Sequence, residues 1–115
     1  MYIIMDKRTY VFNDRNEFKQ FVQLNNHVVI KITAKWCGPC QRCKPLFEEL
    51  FMKLPSSFKY VEVDVDECEK LTGMFRAKSI PTIINYIDGN PQDIMVGGDE
   101  EVLRSFFEKT KKRLN

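Results

Sequence analysis

Residues 36–40 read Trp36-Cys37-Gly38-Pro39-Cys40, and no other stretch of the chain restricts its fold and chemistry as strongly. Two cysteines separated by two residues can close a small disulfide ring or supply half of a metal site. The Gly-Pro between them favours the ring at the start of a helix. Gly38 lets the backbone turn without a Cβ clash, and Pro39 suits a first helical turn because it has no N–H to leave unpaired. Gln41 to Lys53 carries the apolar spacing of a helix, which places Cys37 at the helix N-terminus. The dipole and the free amides there stabilise a thiolate. A thiolate is the nucleophile of thiol–disulfide exchange, and Cys40 stands one turn further on to resolve the mixed disulfide. A zinc site would need a second ligand pair downstream. The chain offers Cys68 and its single histidine, His27, so no metal is expected.

His27 to Ala34 precedes the motif with a β-branched, mostly apolar run, as a buried strand should. A strand, a C-x-x-C turn and a helix in an α/β pattern form a thioredoxin-like redox signature. Further landmarks agree in order and spacing. Ala34-Lys35-Trp36-Cys37-Gly38-Pro39-Cys40 is similar to the active-site segment of the thioredoxin family, and Pro45 to the proline inside its second helix. Val63-Asp64-Val65-Asp66 is similar to its third strand and exit, and Ile80-Pro81-Thr82 to its cis-proline loop. Asp88-Gly89-Asn90 is similar to its last hairpin turn, and Val96-Gly97-Gly98 to the glycine loop before its last helix. The chain therefore resembles a thioredoxin over almost its whole length.

With 115 residues, 43% hydrophobic and 30% charged, the chain reads as one domain over 1–115 with a single core. The net charge of +2 is too small to argue for a nucleic-acid partner. The basic run Lys109, Lys111, Lys112 and Arg113 suits a solvated helix C-terminus. Met1 to Met5 is apolar but too short for a signal peptide, and nothing approaches a membrane span. The cysteine spacing does not suggest a secreted disulfide framework, so a reducing, cytoplasmic compartment is expected.

A first strand is expected at 2–5 or 9–12. Asp14-x-x-Glu17 opens a helix to about Leu24, with Phe18, Phe21 and Val22 inward. The central strand follows at 28–33, and the long helix runs from the motif to about Lys53. A strand spans Phe58 to Asp64, with Val61, Val63 and Val65 on one face and Tyr60, Glu62 and Asp64 on the other. A short helix covers 67–76. Two strands, Pro81–Ile87 and Gln92–Val96, flank the Asp88-Gly89-Asn90 turn. Asp99 caps a last helix that turns Val102, Leu103, Phe106 and Phe107 inward. The expected class is α/β, a thioredoxin fold with a mixed sheet of about five strands flanked by about four helices.

The resemblance assigns roles. Cys37 is the attacking thiolate and Cys40 the more buried resolving thiol, with Gly38 and Pro39 shaping the turn. Trp36 packs beside the site and offers a flat contact surface to partners. Ile80, Pro81 and Thr82 form the loop against the cysteine pair whose backbone pairs with the substrate chain, and Gly97 completes the groove. Cys43 reads as a buried helical thiol and Cys68 as a partly exposed one. The chain departs from the family at Lys31, six residues before Cys37, where thioredoxins usually bury an aspartate. Lys31 is expected to pair with Glu62 on the neighbouring strand or to titrate low; the alternative is a stem that reaches solvent. Glu62 is then the remaining candidate for the proton-transfer role.

These residues imply a dithiol–disulfide oxidoreductase that reduces protein disulfides. It would act as a monomer without a bound cofactor and be recharged by an electron-donating thioredoxin reductase. The alternatives are a thiol oxidase or disulfide isomerase, or a redox-fold accessory or binding subunit.

Overall fold

The β-branched run before the motif becomes the middle of the sheet. In the computed structural model, which describes residues 8–114, the strands are β1 (Thr9–Tyr10), β2 (His27–Thr33), β3 (Lys59–Asp64), β4 (Thr82–Ile87) and β5 (Asn90–Val96). They form one five-stranded sheet in the order β1-β3-β2-β4-β5. The pairings β1–β3 and β2–β3 are parallel; β2–β4 and β4–β5 are antiparallel. The helices are α1 (Arg15–Leu24), α2 (Gly38–Met52), α3 (Glu69–Phe75) and α4 (Glu100–Lys112).

Side-chain alternation along β2 and β3 sorts the core into two layers. Val28, Ile30, Ile32, Val61 and Val63 face α1 and α3, where they meet Phe18, Val22 and Leu71. Val29 and Tyr60 face α2 and α4, where they meet Phe47, Phe51, Leu103 and Phe107. The parallel register sets Lys31 beside Glu62 and Thr33 beside Asp64. The α2 face of these strands is thus apolar at one end and polar at the end beneath the first turn of α2.

Local chemistry sets the element ends. The Asp14 carboxylate accepts from the Asn16 and Glu17 amides at the start of α1, and Asp99 accepts from the Val102 amide at the start of α4. Asp88 and Gly89 both have positive φ, as a two-residue hairpin turn of this hand requires. Pro45 sits inside α2, where it cannot donate to the Gln41 carbonyl.

Three expectations shift. The first strand is the two-residue β1 within the 9–12 alternative; the 2–5 alternative lies outside the described residues. Val102 is exposed and not inward: it falls in the first turn of α4, and the buried stripe is instead Leu103, Phe106, Phe107 and Thr110. Phe21 is half-buried, because it stacks against Tyr10 and Phe12 at the sheet margin and not under the sheet.

Candidate active site

Cys37 is the N-cap of α2 and Cys40 lies in its first turn. The two are joined as a disulfide, with Cα atoms 5.3 Å apart. The Cys40 amide donates to Cys37 Sγ at 3.2 Å, so the helix terminus directs an N–H at that sulfur. This is the arrangement that stabilises a thiolate when the pair is reduced. Cys37 is 5% exposed and Cys40 1%. The first sulfur therefore meets solvent at a narrow edge and does not stand free, while the second is closed off.

Three loops surround the pair. The Cys37 amide donates to the Ala34 carbonyl, and the Gln41 side chain also donates there at 3.0 Å. The Ile80–Pro81 bond is cis, and the Ile80 carbonyl oxygen lies 3.8 Å from Cys37 Sγ. Ile80 packs on the small cluster of Ala34, Cys37 and Cys40. Gly97 has φ +95° with open space where a Cβ would stand, and its amide donates to the Pro81 carbonyl at 2.8 Å. Gly98 has the opposite constraint: a Cβ there would come within 3.0 Å of the Pro39 carbonyl oxygen, so the loop can press onto the start of α2 only without a side chain.

Trp36 is 68% exposed and is not a core aromatic. Its indole N–H donates to the Asp66 carboxylate at 2.8 Å, which holds the ring over the surface beside Cys37. Asp64 in turn accepts from the Asp66 and Glu67 amides. Trp36, Ile80, Pro81 and Gly97, far apart in sequence, thus bound one shallow surface around Cys37. Thr82 is buried, and its hydroxyl donates to the Ser79 carbonyl at 2.6 Å. It braces the loop from inside and presents no side chain to the groove.

Behind the disulfide lies a cavity of about 140 Å³, bounded by Cys40, Lys31, Glu62, Asp64 and Lys44 among others. Lys31 is 2% exposed. It does not pair with Glu62: its ammonium sits over the Phe47 ring, 4.4 Å from the centroid, and Glu62 accepts instead from the Tyr60 hydroxyl at 3.0 Å. Strand neighbours in parallel register direct their stems side by side, and the aromatic face of α2 competes for the cation. Burial pulls the Lys31 pKa below the ordinary lysine value, against the opposing pull of Cys43, Glu62 and Glu48. Of the two expectations for Lys31, low titration holds and the ion pair does not. Burial, and then Glu62, lift the Tyr60 phenol well above its usual range, so it stays a donor to Glu62.

The family model described as Thioredoxin matches residues 9–109. The chain belongs to the thioredoxin family. It is a thiol–disulfide oxidoreductase whose redox pair is Cys37 and Cys40. It is 31% identical over 99 residues to thioredoxin 1 of Plasmodium falciparum, covering 86% of this chain and 94% of that protein. It is 35% identical over 97 residues to thioredoxin H5 of Oryza sativa subsp. japonica, covering 84% and 71%. A solved structure of Plasmodium falciparum thioredoxin superposes with a TM-score of 0.77 at 30% identity, covering 86% of this chain and 96% of that one.

Within this thioredoxin fold, Cys43 is buried on α2 as expected, with its thiol 3.5 Å from the Cys40 carbonyl. Cys68 is buried, not partly exposed: as the residue before α3 it turns inward among Val61, Val63 and Leu71. Burial raises its pKa, which leaves it a poor nucleophile. The sequence places Asp64 and Asp66 in the Val63–Asp66 landmark but assigns neither a role at the site. The signal for Asp64 was its place on the Glu62 face of β3. Asp66 lies beyond the strand, and nothing local ties it to Trp36.

Proposed function

We propose that this oxidoreductase reduces disulfides in protein substrates, with Cys37 as nucleophile and Cys40 as resolving thiol. The observation that carries the reading is the N-cap position of Cys37, with an amide directed at its sulfur, beside the exposed Trp36 and the Ile80–Pro81 loop. The Cys37 thiolate attacks one sulfur of the substrate disulfide. A Cys37–substrate bond forms, the substrate S–S bond breaks, and the other substrate sulfur leaves as a thiolate that takes a proton from solvent. The Cys40 thiolate then attacks Cys37 Sγ and releases the second substrate thiol. The substrate gains two electrons, and the protein ends as the disulfide.

Trp36, Ile80, Pro81 and Gly97 supply the docking surface, and Gly38 and Pro39 the turn that presents Cys37. The Ile80 carbonyl beside Cys37 suits pairing with an extended substrate backbone, and Thr82 supports that loop from beneath. An external thioredoxin reductase returns the electrons, no cofactor of the chain's own is involved, and the protein works as a monomer. The free thiols of Cys43 and Cys68 suit a reducing, cytoplasmic setting. Insulin-disulfide reduction with a thioredoxin reductase as donor tests the reading. Turnover that survives replacement of both Cys37 and Cys40 by serine would rule it out in favour of an accessory role.

The groove makes its own prediction. In Gly97→Ala the added methyl stands in open space over the docking surface, at a φ that disfavours side chains. KM for a protein disulfide is expected to rise about tenfold, equivalent to ~1.4 kcal/mol of lost binding, with little change toward a small aromatic disulfide. Equal losses on both substrates would mean that Gly97 supports the fold and not docking.

A further inference from the structure

One cavity behind the disulfide is bounded by both a buried lysine and the resolving thiol. Cys40 is closed to bulk solvent, yet it bounds a polar space of about 140 Å³ that Lys31 also bounds. Among the described residues no ion pair neutralises Lys31, and its ammonium lies against the Phe47 and Tyr60 rings. The titratable groups that act on it are Cys43, Lys44 and Glu48 from α2 and Tyr60 and Glu62 from β3, and Lys35, Asp64 and Glu67 also bound the cavity; β4 contributes Ile83, which carries no charge. The carboxylates are partly occupied elsewhere. Glu62 accepts from Tyr60, and Asp64 from two loop amides. Three lysines bound the space that Cys40 bounds: Lys31, Lys35 and Lys44. Lys35 and Lys44 are exposed and screened by water, and Lys31 is the buried one.

We propose that Lys31 is a positioning residue for the second half-reaction: its ammonium stabilises the Cys40 thiolate that attacks the mixed disulfide. The inference rests on the assignment of Cys40 as the resolving thiol. The Cys40 proton leaves through the cavity to water. The thiolate then bonds to Cys37 Sγ, and the substrate sulfur departs with the electron pair. A nearby cation favours the ionised thiol. The consequence is two-sided. A thiol pKa lower by one unit raises the thiolate fraction about tenfold below that pKa, while the nucleophilicity of each thiolate falls about threefold. The net gain is about threefold near neutral pH, and it reverses once the thiol is fully ionised.

The test is stopped-flow reaction of the reduced protein with an aromatic disulfide whose leaving thiolate absorbs. The first release reports attack by Cys37 and the second reports resolution by Cys40, each followed from pH 5 to 10. Lys31→Met is expected to move the midpoint of the second phase up by about one pH unit. The variant should be about threefold slower than wild type at pH 7 and about threefold faster on the alkaline plateau, with the first phase nearly unchanged. Glu62→Gln removes an anion from the same cavity and is expected to move the second midpoint down; it serves also if Lys31→Met fails to fold. Curves that scale by one factor at every pH, or midpoints unmoved in the folded variants, overturn the proposal. Failure of the underlying assignment has a separate signature. Cys40→Ser should release only the first thiolate, and a first release from Cys37→Ser instead would reverse the roles of the two cysteines.

Discussion

Cys37→Ser is expected to abolish disulfide reduction, and Cys40→Ser to accumulate a covalent adduct with substrate. The two outcomes follow from positions one turn apart. Cys37 carries the N-cap sulfur, receives the Cys40 amide and has the greater access to solvent. Without it there is no nucleophile, and the rate falls to that of uncatalysed exchange. Cys40 is 1% exposed and cannot meet a protein disulfide, but it is held against Cys37. Well-oriented intramolecular attack corresponds to effective concentrations of roughly 10⁵ M or more, so in the wild type the mixed disulfide with a dilute protein substrate is short-lived and becomes a separate kinetic phase only when excess small disulfide makes the first attack the faster step. In Cys40→Ser the first attack proceeds and the second cannot. Mass spectrometry of the acid-quenched reaction should show the protein plus one substrate chain, released by a small thiol. An adduct on Cys37→Ser and none on Cys40→Ser would reverse the assignment. Two variants of equal, partial activity would deny the pair its role altogether.

The parts that were legible in the sequence are those decided within a few residues. Asp14 and Asp99 as caps, Asp88-Gly89 as a hairpin turn, and Cys37 at a helix N-terminus each depend on neighbours in the chain, and each stands where expected. Alternation along β3 separated Val61 and Val63 from Tyr60, Glu62 and Asp64 correctly. The failures involve choices between distant partners. Lys31 and Glu62 are register partners, but register fixes backbones. Phe47 from α2 and Tyr60 from the same strand captured the two side chains. Cys68 reads as partly exposed from its place at the start of the third helix, whereas the packing of α3 onto the sheet turns it inward. Val102 shows the limit of helical spacing: one position on the boundary of the stripe can fall on either side. The link from Trp36 to Asp66 spans 30 residues, and no local pattern encodes it.

The largest stability effect is expected far from the cysteines, at Asn85. This residue is fully buried beside the register shift between β4 and β5. Its side-chain amide donates to Asp93 Oδ2 at 3.0 Å and to Thr110 Oγ1 at 2.8 Å, and its oxygen accepts from the Asp93 amide at 2.7 Å. Asp93 also takes both arms of Arg113 from the end of α4. One side chain thus joins β4, β5 and the last helix. Asn85→Leu would leave the Asp93 amide without a partner, a loss of about 1–3 kcal/mol. Asn85→Asp is worse, because the two donors become acceptors and a second carboxylate stands against Asp93. An uncompensated buried charge costs about 3–5 kcal/mol, a large part of the 5–15 kcal/mol or so that holds a domain together. The size of the pH dependence separates the two. Arg113, more than any other group, holds the Asp93 pKa below its ordinary value, so in the wild type that stabilisation is present above the unfolded carboxylate pKa and is lost as pH falls. In Asn85→Asp the introduced carboxyl has its pKa raised by burial and by Asp93. The folded state then binds the extra proton, and relative stability falls as pH rises above the unfolded value near 4. Urea unfolding at pH 4 and pH 7 should show the gap to wild type widening with pH much more for Asn85→Asp than for Asn85→Leu, which loses only the part of the Asp93 shift that Asn85 supplies. A constant gap for both, or losses under about 0.5 kcal/mol, would show that this network is not what fastens α4 to the sheet.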